Sequence, residues 1–162
     1  MRKLMIYAAV ACMILLTGCK SKVIPTTAAF HSYPTECMGK SMDGSQTLRV
    51  WASGRNKTDA IEQAKKKAVY DVVFTGIQAG SGECNAYPVV DEANARKKYE
   101  DYFDLFFADG GAYLKYVSVA NQKNSAIQRH YGDGAQTFGI IVTVNRSALR
   151  KRLESDNIIV KH

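Results

Sequence analysis

Little in this chain of 162 residues is arranged for covalent chemistry. It has no GxSxG or SxxK, no P-loop, no CxxC and no HxxxH or HExxH, which sets aside the enzyme classes those motifs define. Its three histidines, His31, His130 and His162, are scattered, and no Cys/His cluster has metal-ligand spacing. No metal and no cofactor is expected. Gly80, Ser81 and Gly82 offer a fragment of a dinucleotide fingerprint, but the third glycine, a preceding strand and a helix opening directly afterwards are all missing. Glu100 and Asp104 stand at i,i+4 and share a helix face, the minimum a glycosidase needs, yet nearly every amphipathic helix carries such a pair. The expectation is a protein that is not an enzyme.

Long apolar runs are equally scarce. The one present, Leu4 to Leu16, follows Arg2 and Lys3 and contains no charge. It falls short of the roughly 20 residues that span a bilayer, and with Thr17 and Gly18 after it reads as a secretory signal peptide over residues 1–18. Leu16, Thr17, Gly18 and Cys19 resemble the bacterial lipobox, at whose cysteine a diacylglyceryl group is attached before the leader is removed. That resemblance implies a lipid on Cys19 and a membrane anchor without a membrane-spanning helix. Several acyl chains hold stably where one does not, because each buried methylene contributes about 0.8 kcal/mol. It also implies sorting: Lys20 is not the aspartate that retains lipoproteins at the inner membrane, and "KSK" is not the acidic run that sends some to the cell surface. A periplasm-facing place on the outer membrane follows.

Only four cysteines are present. Cys12 leaves with the leader and Cys19 takes the lipid, so Cys37 and Cys84 remain as thiols in an exported, oxidising compartment. A disulfide between them is the expectation, closing a 47-residue separation worth about 4 kcal/mol on chain entropy. A nucleophilic or redox cysteine is the competing reading, and neither cysteine has a motif around it.

Two of the three prolines fall in "KSKVIPTTAAFHSYPTE", residues 20–36, which lacks any sustained period. Residues 19–36 are therefore read as lipidated cysteine plus flexible tether, and residues 37–162 as a single domain. The net charge of +7 becomes +5 once Arg2 and Lys3 are removed. A moderately basic exported protein suits anionic lipid or cell-wall polymer, and no nucleic-acid recognition motif is present.

Within the domain, "TLRVWAS" (47–53) alternates as a half-buried strand ended by Gly54. The next segment, "GRNKTDAIEQAKKKAVYDVVFTGI", reads as a helix capped by Asn56 and closed by Gly76. Ala60, Ile61, Ala64, Ala68, Val69, Val72 and Val73 form its apolar face, with small alanines for close packing on a sheet. Lys65, Lys66 and Lys67 read either as a solvated face, with pairs Glu62–Lys66 and Lys67–Asp71, or as a basic patch. Residues 79–90 read as a connection held by Cys84. A second helix is expected from about Asp91 to Ala108, then strands 113–121 and 137–145, with a possible short strand around Ala126 to Tyr131 between them. A last helix, capped by Asn145 or Ser147, buries Ala148, Leu149 and Leu153 and turns Arg146, Arg150, Lys151 and Arg152 outward; Ile158 to Val160 close the chain as a short strand or tail.

Aromatic residues crowd into residues 99–116, where helical spacing favours a core stripe. Phe107, Tyr113 and Tyr116 are the ones that stripe leaves over, and exposed together they would mark a groove or partner surface. The element order gives an α+β fold: a mainly antiparallel sheet of three to four strands with two to three helices on one face.

The strand ending in glycine, followed by a helix with alanines at four-residue steps in residues 54–77, resembles the N-terminal domains of flagellar-assembly lipoproteins and related outer-membrane accessory proteins. It is also similar to uncharacterised lipoproteins of Bacteroidetes-type bacteria. The resemblance implies a scaffolding or assembly role and carries over no functional residue. Two functions are therefore expected from the sequence: a lipid-anchored accessory or interaction module binding an envelope protein or peptidoglycan, or a binding protein with an aromatic-lined pocket for a small hydrophobic or glycan ligand. The oligomeric state is not written in the sequence.

Overall fold

The computed structural model describes residues 33–80, 82–120, 126–130 and 136–160, with residues 126–130 and 136 as backbone. The leader, Cys19 and the tether up to residue 32 lie outside the described residues.

The chain begins with an antiparallel hairpin, β1 (Glu36–Lys40) and β2 (Ser45–Gly54). Asp43 fixes its turn by accepting hydrogen bonds from the Ser45 backbone N–H (3.0 Å) and hydroxyl (2.8 Å), which hold its carboxyl below the usual carboxylate range. Helix α1 (Lys57–Tyr70) follows, and the Asn56 side chain caps it by accepting from the Asp59 N–H at 2.9 Å. Its end widens into a π-helical turn, Asp71–Thr75, closed by the Gly76 N–H on the Asp71 carbonyl at 2.7 Å. Then come β3 (Ala79–Gly80), α2 (Ala95–Lys98), α3 (Glu100–Phe106), a 3₁₀ turn (Ala112–Tyr116), β4 (Val117–Val119), β5 (Ala126–His130), β6 (Gln136–Asn145) and α4 (Arg146–Ser155).

The fold is α+β, but its sheet is larger than three to four strands and is mixed. Strands run β3-β1-β2-β6-β4, and β5 pairs with the stretch of β6 that β4 leaves open. All pairs are antiparallel except β1 with β3, whose register is Glu36↔Ala79 and Cys37↔Gly80. The central pair matches Leu48 with Val142, Val50 with Ile140 and Ala52 with Phe138, and these six residues form one buried face. Helix α1 lies on that face through Ala60, Ala64 and Ala68, all fully buried, so the alanine ladder gives the close approach its spacing predicts.

Three expectations need correction. The helix expected over 91–108 is two short ones, because Tyr99 (φ −116°, ψ 39°) breaks it; α2 is charged and has only Ala95 to bury, while α3 is turned so that Phe103 and Phe106 enter the core. The strand expected from residue 113 begins only at Val117: the preceding five residues wind into the 3₁₀ turn and bury Tyr113. Arg146, assigned outward, is buried and donates to the carbonyls of Tyr87 (3.0 Å) and Pro88 (3.2 Å), which ties α4 to the 77–90 loop. Desolvation lowers its pKa from the ordinary arginine value, with Arg150 adding to the effect. Asn145 is the cap of α4, accepting from the Ala148 N–H at 2.9 Å.

Candidate functional site

The π-helical turn decides the local geometry. Widening the helix frees the carbonyls of Val72 and Val73 from their helical partners, and they accept instead from the N–H groups of Val89 (3.0 Å) and Val90 (2.9 Å). The loop that follows is thereby sewn to the helix end. At Gly76, φ is +78°, and a Cβ would stand 2.0 Å from the Ala86 carbonyl oxygen, so both conformation and space require glycine there. Further on, Cys37 of β1 and Cys84 form a disulfide with a Cα separation of 5.9 Å, as the sequence predicted. A Cβ on Gly80 or Gly82 would lie 2.4 Å from the Cys37 carbonyl oxygen or 2.3 Å from its Sγ. The glycines that mimic a nucleotide fingerprint are spent on letting backbone close over this bond.

Between residues 33–35, the end of α1 with its π turn, and residues 76–79 lies a cleft of about 570 Å³. Tyr33, Pro34 and Tyr70 give it apolar wall, Thr75 and Gln78 stand at the rim, and Lys67, Asp71 and Thr35 lie at its floor. Lys67 Nζ is 2.8 Å from Asp71 Oδ2, with the two side chains only 6% and 10% exposed. The Thr35 hydroxyl donates to the same Oδ2. Both of these side-chain bonds fall on one oxygen, and among the described residues no hydrogen bond reaches Asp71 Oδ1. Among the described residues the charges at the floor, Lys67 and Asp71, balance as a buried ion pair, and Asp71 Oδ1 is an acceptor with spare capacity.

A smaller groove of about 370 Å³ lies on the other side of Tyr70, lined by Lys66, Arg96, Asp104 and Phe107. Its charges are mutually satisfied: Lys66 meets Asp109 at 2.9 Å, and Arg96 meets Asp104 at 3.1 Å while standing 5.9 Å above the Tyr70 ring.

The residues singled out in the sequence distribute as follows. Lys65 pairs with Glu62 at 2.7 Å and Lys66 with Asp109, so the anticipated Glu62–Lys66 pair is not formed. Lys67 does pair with Asp71, but buried rather than on a solvated face or in a basic patch, which corrects the reading of the three lysines as one surface feature. Phe107 and Tyr113 are 9% and 2% exposed, their rings 5.9 Å apart within a cluster that includes Tyr70, Phe74, Phe103 and Phe106. Tyr116 is half-buried and stacks on Phe106 at 6.1 Å. Burial and the charges of Glu62 and Asp109 raise the Tyr113 pKa.

The sequence reading missed Tyr33, Thr35, Tyr70 and Asp71 as parts of one site. A signal existed: Lys67 is three residues after Ala64 and Asp71 is three after Ala68, so both fall on the apolar face that the alanines define. Among the described residues no group of three or more His, Cys, Asp or Glu is placed to hold a metal, and no helix is long and apolar enough to cross a membrane. No protein-family model, curated protein or solved structure matches the chain.

Proposed function

We propose that the protein is a bacterial envelope lipoprotein whose domain is a non-catalytic interaction module, tethered through Cys19 to the periplasmic face of the outer membrane and binding an envelope protein or peptidoglycan. The observation that carries this reading is the sequence "LTGC" directly after the Leu4–Leu16 run, which is the substrate of lipid transfer rather than a free thiol. The domain supports it in two ways. Its most elaborate polar feature, the Lys67–Asp71–Thr35 cluster, lies in an apolar-walled cleft of the size that takes small ligands, which supports a binding site. The cleft also includes Tyr33 and Pro34, the residues through which the chain arrives from the tether, so an anchored domain would carry its cleft close to its point of attachment.

In a bacterial host fed labelled palmitate, the protein is expected to take up label and sediment with outer membrane, and Cys19→Ser is expected to abolish both. Crosslinking in intact cells should recover a specific envelope component with the wild-type chain. Recovery of the protein alone, or an unlabelled chain, overturns the reading.

A further inference from the structure

We propose that the cleft is a carbohydrate site, in which a neutral sugar ring lies against the tyrosine wall and its hydroxyl or acetamido N–H donates to Asp71 Oδ1. This rests on the preceding reading of the domain as a binding module and adds the chemical class of its ligand.

The charge at the floor selects first. Lys67 already neutralises Asp71 at 2.8 Å, so a cationic ligand gains no net attraction there and meets the ammonium, while an anionic one meets the carboxylate. What remains is hydrogen bonding to the acceptor at Oδ1. Hydroxyl and amide N–H groups donate to it without a charge of their own. A carboxylate this buried does not leave an oxygen idle; water completes it when the cleft is empty and a ligand donor when it is filled.

The walls select next. Tyr33, Tyr70 and Pro34 present flat apolar surface of the kind that the C–H faces of a pyranose cover, while Thr75 and Gln78 at the rim supply polar groups for outer hydroxyls. At about 570 Å³ the cleft lies inside the ~300–1,000 Å³ of sites that enclose small ligands. A peptide bound by strand addition is disfavoured, because the rim strand β3 offers only two residues of main chain to pair with.

The fold supplies its own reporter. Trp51, the sole tryptophan, has its ring centroid 5.4 Å from that of Tyr33, so a ligand that shifts Tyr33 changes indole emission. The purified full-length protein, in a sugar-free zwitterionic detergent, is titrated with the trimer of N-acetylglucosamine, with maltotriose, and with a synthetic stem peptide containing D-amino acids. A saturable emission change with one of the neutral trisaccharides, half-complete between about 10 μM and 1 mM, is the expected result. Asp71→Asn should weaken it about tenfold, since the charge-assisted hydrogen bond becomes a neutral one. Because that variant also removes the carboxylate charge facing buried Lys67 and can destabilise the fold, Gln78→Ala at the exposed rim is the second test, expected to weaken binding about threefold while circular dichroism is unchanged. Arg96→Ala, across Tyr70 in the other groove, should bind as the wild type does. Saturation by the peptide alone, by none of the three, or with wild-type affinity in both cleft variants overturns the proposal. Those outcomes leave palmitate labelling and crosslinking untouched, so the ligand class and the lipoprotein reading fail separately.

Discussion

At Lys67 the charge of the side chain and its helical phase oppose one another. It lies on the alanine face of α1 and is 5% exposed, a position that a lysine holds only with a partner, and Asp71 one turn later supplies it. Removing one partner strands the other: Lys67→Met should cost about 3–5 kcal/mol in urea unfolding, whereas Lys67→Met with Asp71→Leu should lie within about 1–2 kcal/mol of wild type. Additive single costs in that double-mutant cycle would mean the two groups are not coupled. A second residue-scale expectation concerns Tyr102. Burial, then a 2.6 Å hydrogen bond to Asp156, raise its pKa above the ordinary tyrosine value of about 10, against a smaller opposing effect of Arg152. The folded state thus holds the phenol proton more tightly than the unfolded state does. Its contribution is full below about pH 10 and declines as pH rises beyond that, because the unfolded chain then releases the proton first. Tyr102→Phe should flatten the alkaline limb of a Tm-against-pH curve above pH 10, and an unaltered limb would remove Tyr102 as its cause.

The elements show where periodicity is sufficient information and where it is not. β2, α1, β6 and α4 carry repeating apolar positions; β2 and β6 form within two residues of their sequence limits, α4 starts at its Asn145 cap, and α1 departs from expectation at its end. The short pieces are set by tertiary partners. β1 has the exposed Met38 and Gly39 in its middle and is a strand because β2 and β3 flank it. The π turn is matched by Val89 and Val90 donating to two of its carbonyls, a pairing nearly twenty residues away that no local window contains. Half of the site escaped for the same reason: Tyr33 and Thr35 read as tether, and their distant partners Trp51 and Asp71 place them in the domain. Cys37 and Cys84 were readable as a pair because so few alternatives existed. Replacing both by serine should lower stability by about 2–4 kcal/mol, and adding reductant to the wild type should lower Tm by a similar equivalent. A variant as stable as the wild type would mean that the loop is held by its hydrogen bonds alone.

For the whole molecule, the domain reaches further toward its N-terminus than composition suggested. Tyr33 covers Trp51 and Thr35 bonds Asp71, so a chain starting at Glu36 should be less stable than one starting at Tyr33 by about 1–3 kcal/mol, measured by urea titration. Equal midpoints would show residues 33–35 to be dispensable. The disulfide also has a mechanical meaning. A pull on the N-terminus, from a lipid on Cys19 or any other holdfast, reaches Cys37 one residue into β1, before the ladder pairs of Gly39 and Lys40 with β2. There the load divides. One share continues along the strand, and the other passes through a covalent bond to residue 84, in the loop after β3. A tug that would otherwise pull β1 from between β2 and β3, one hydrogen bond at a time, is instead shared between the strand and the loop after β3. Under such a load the disulfide would keep β1 in place.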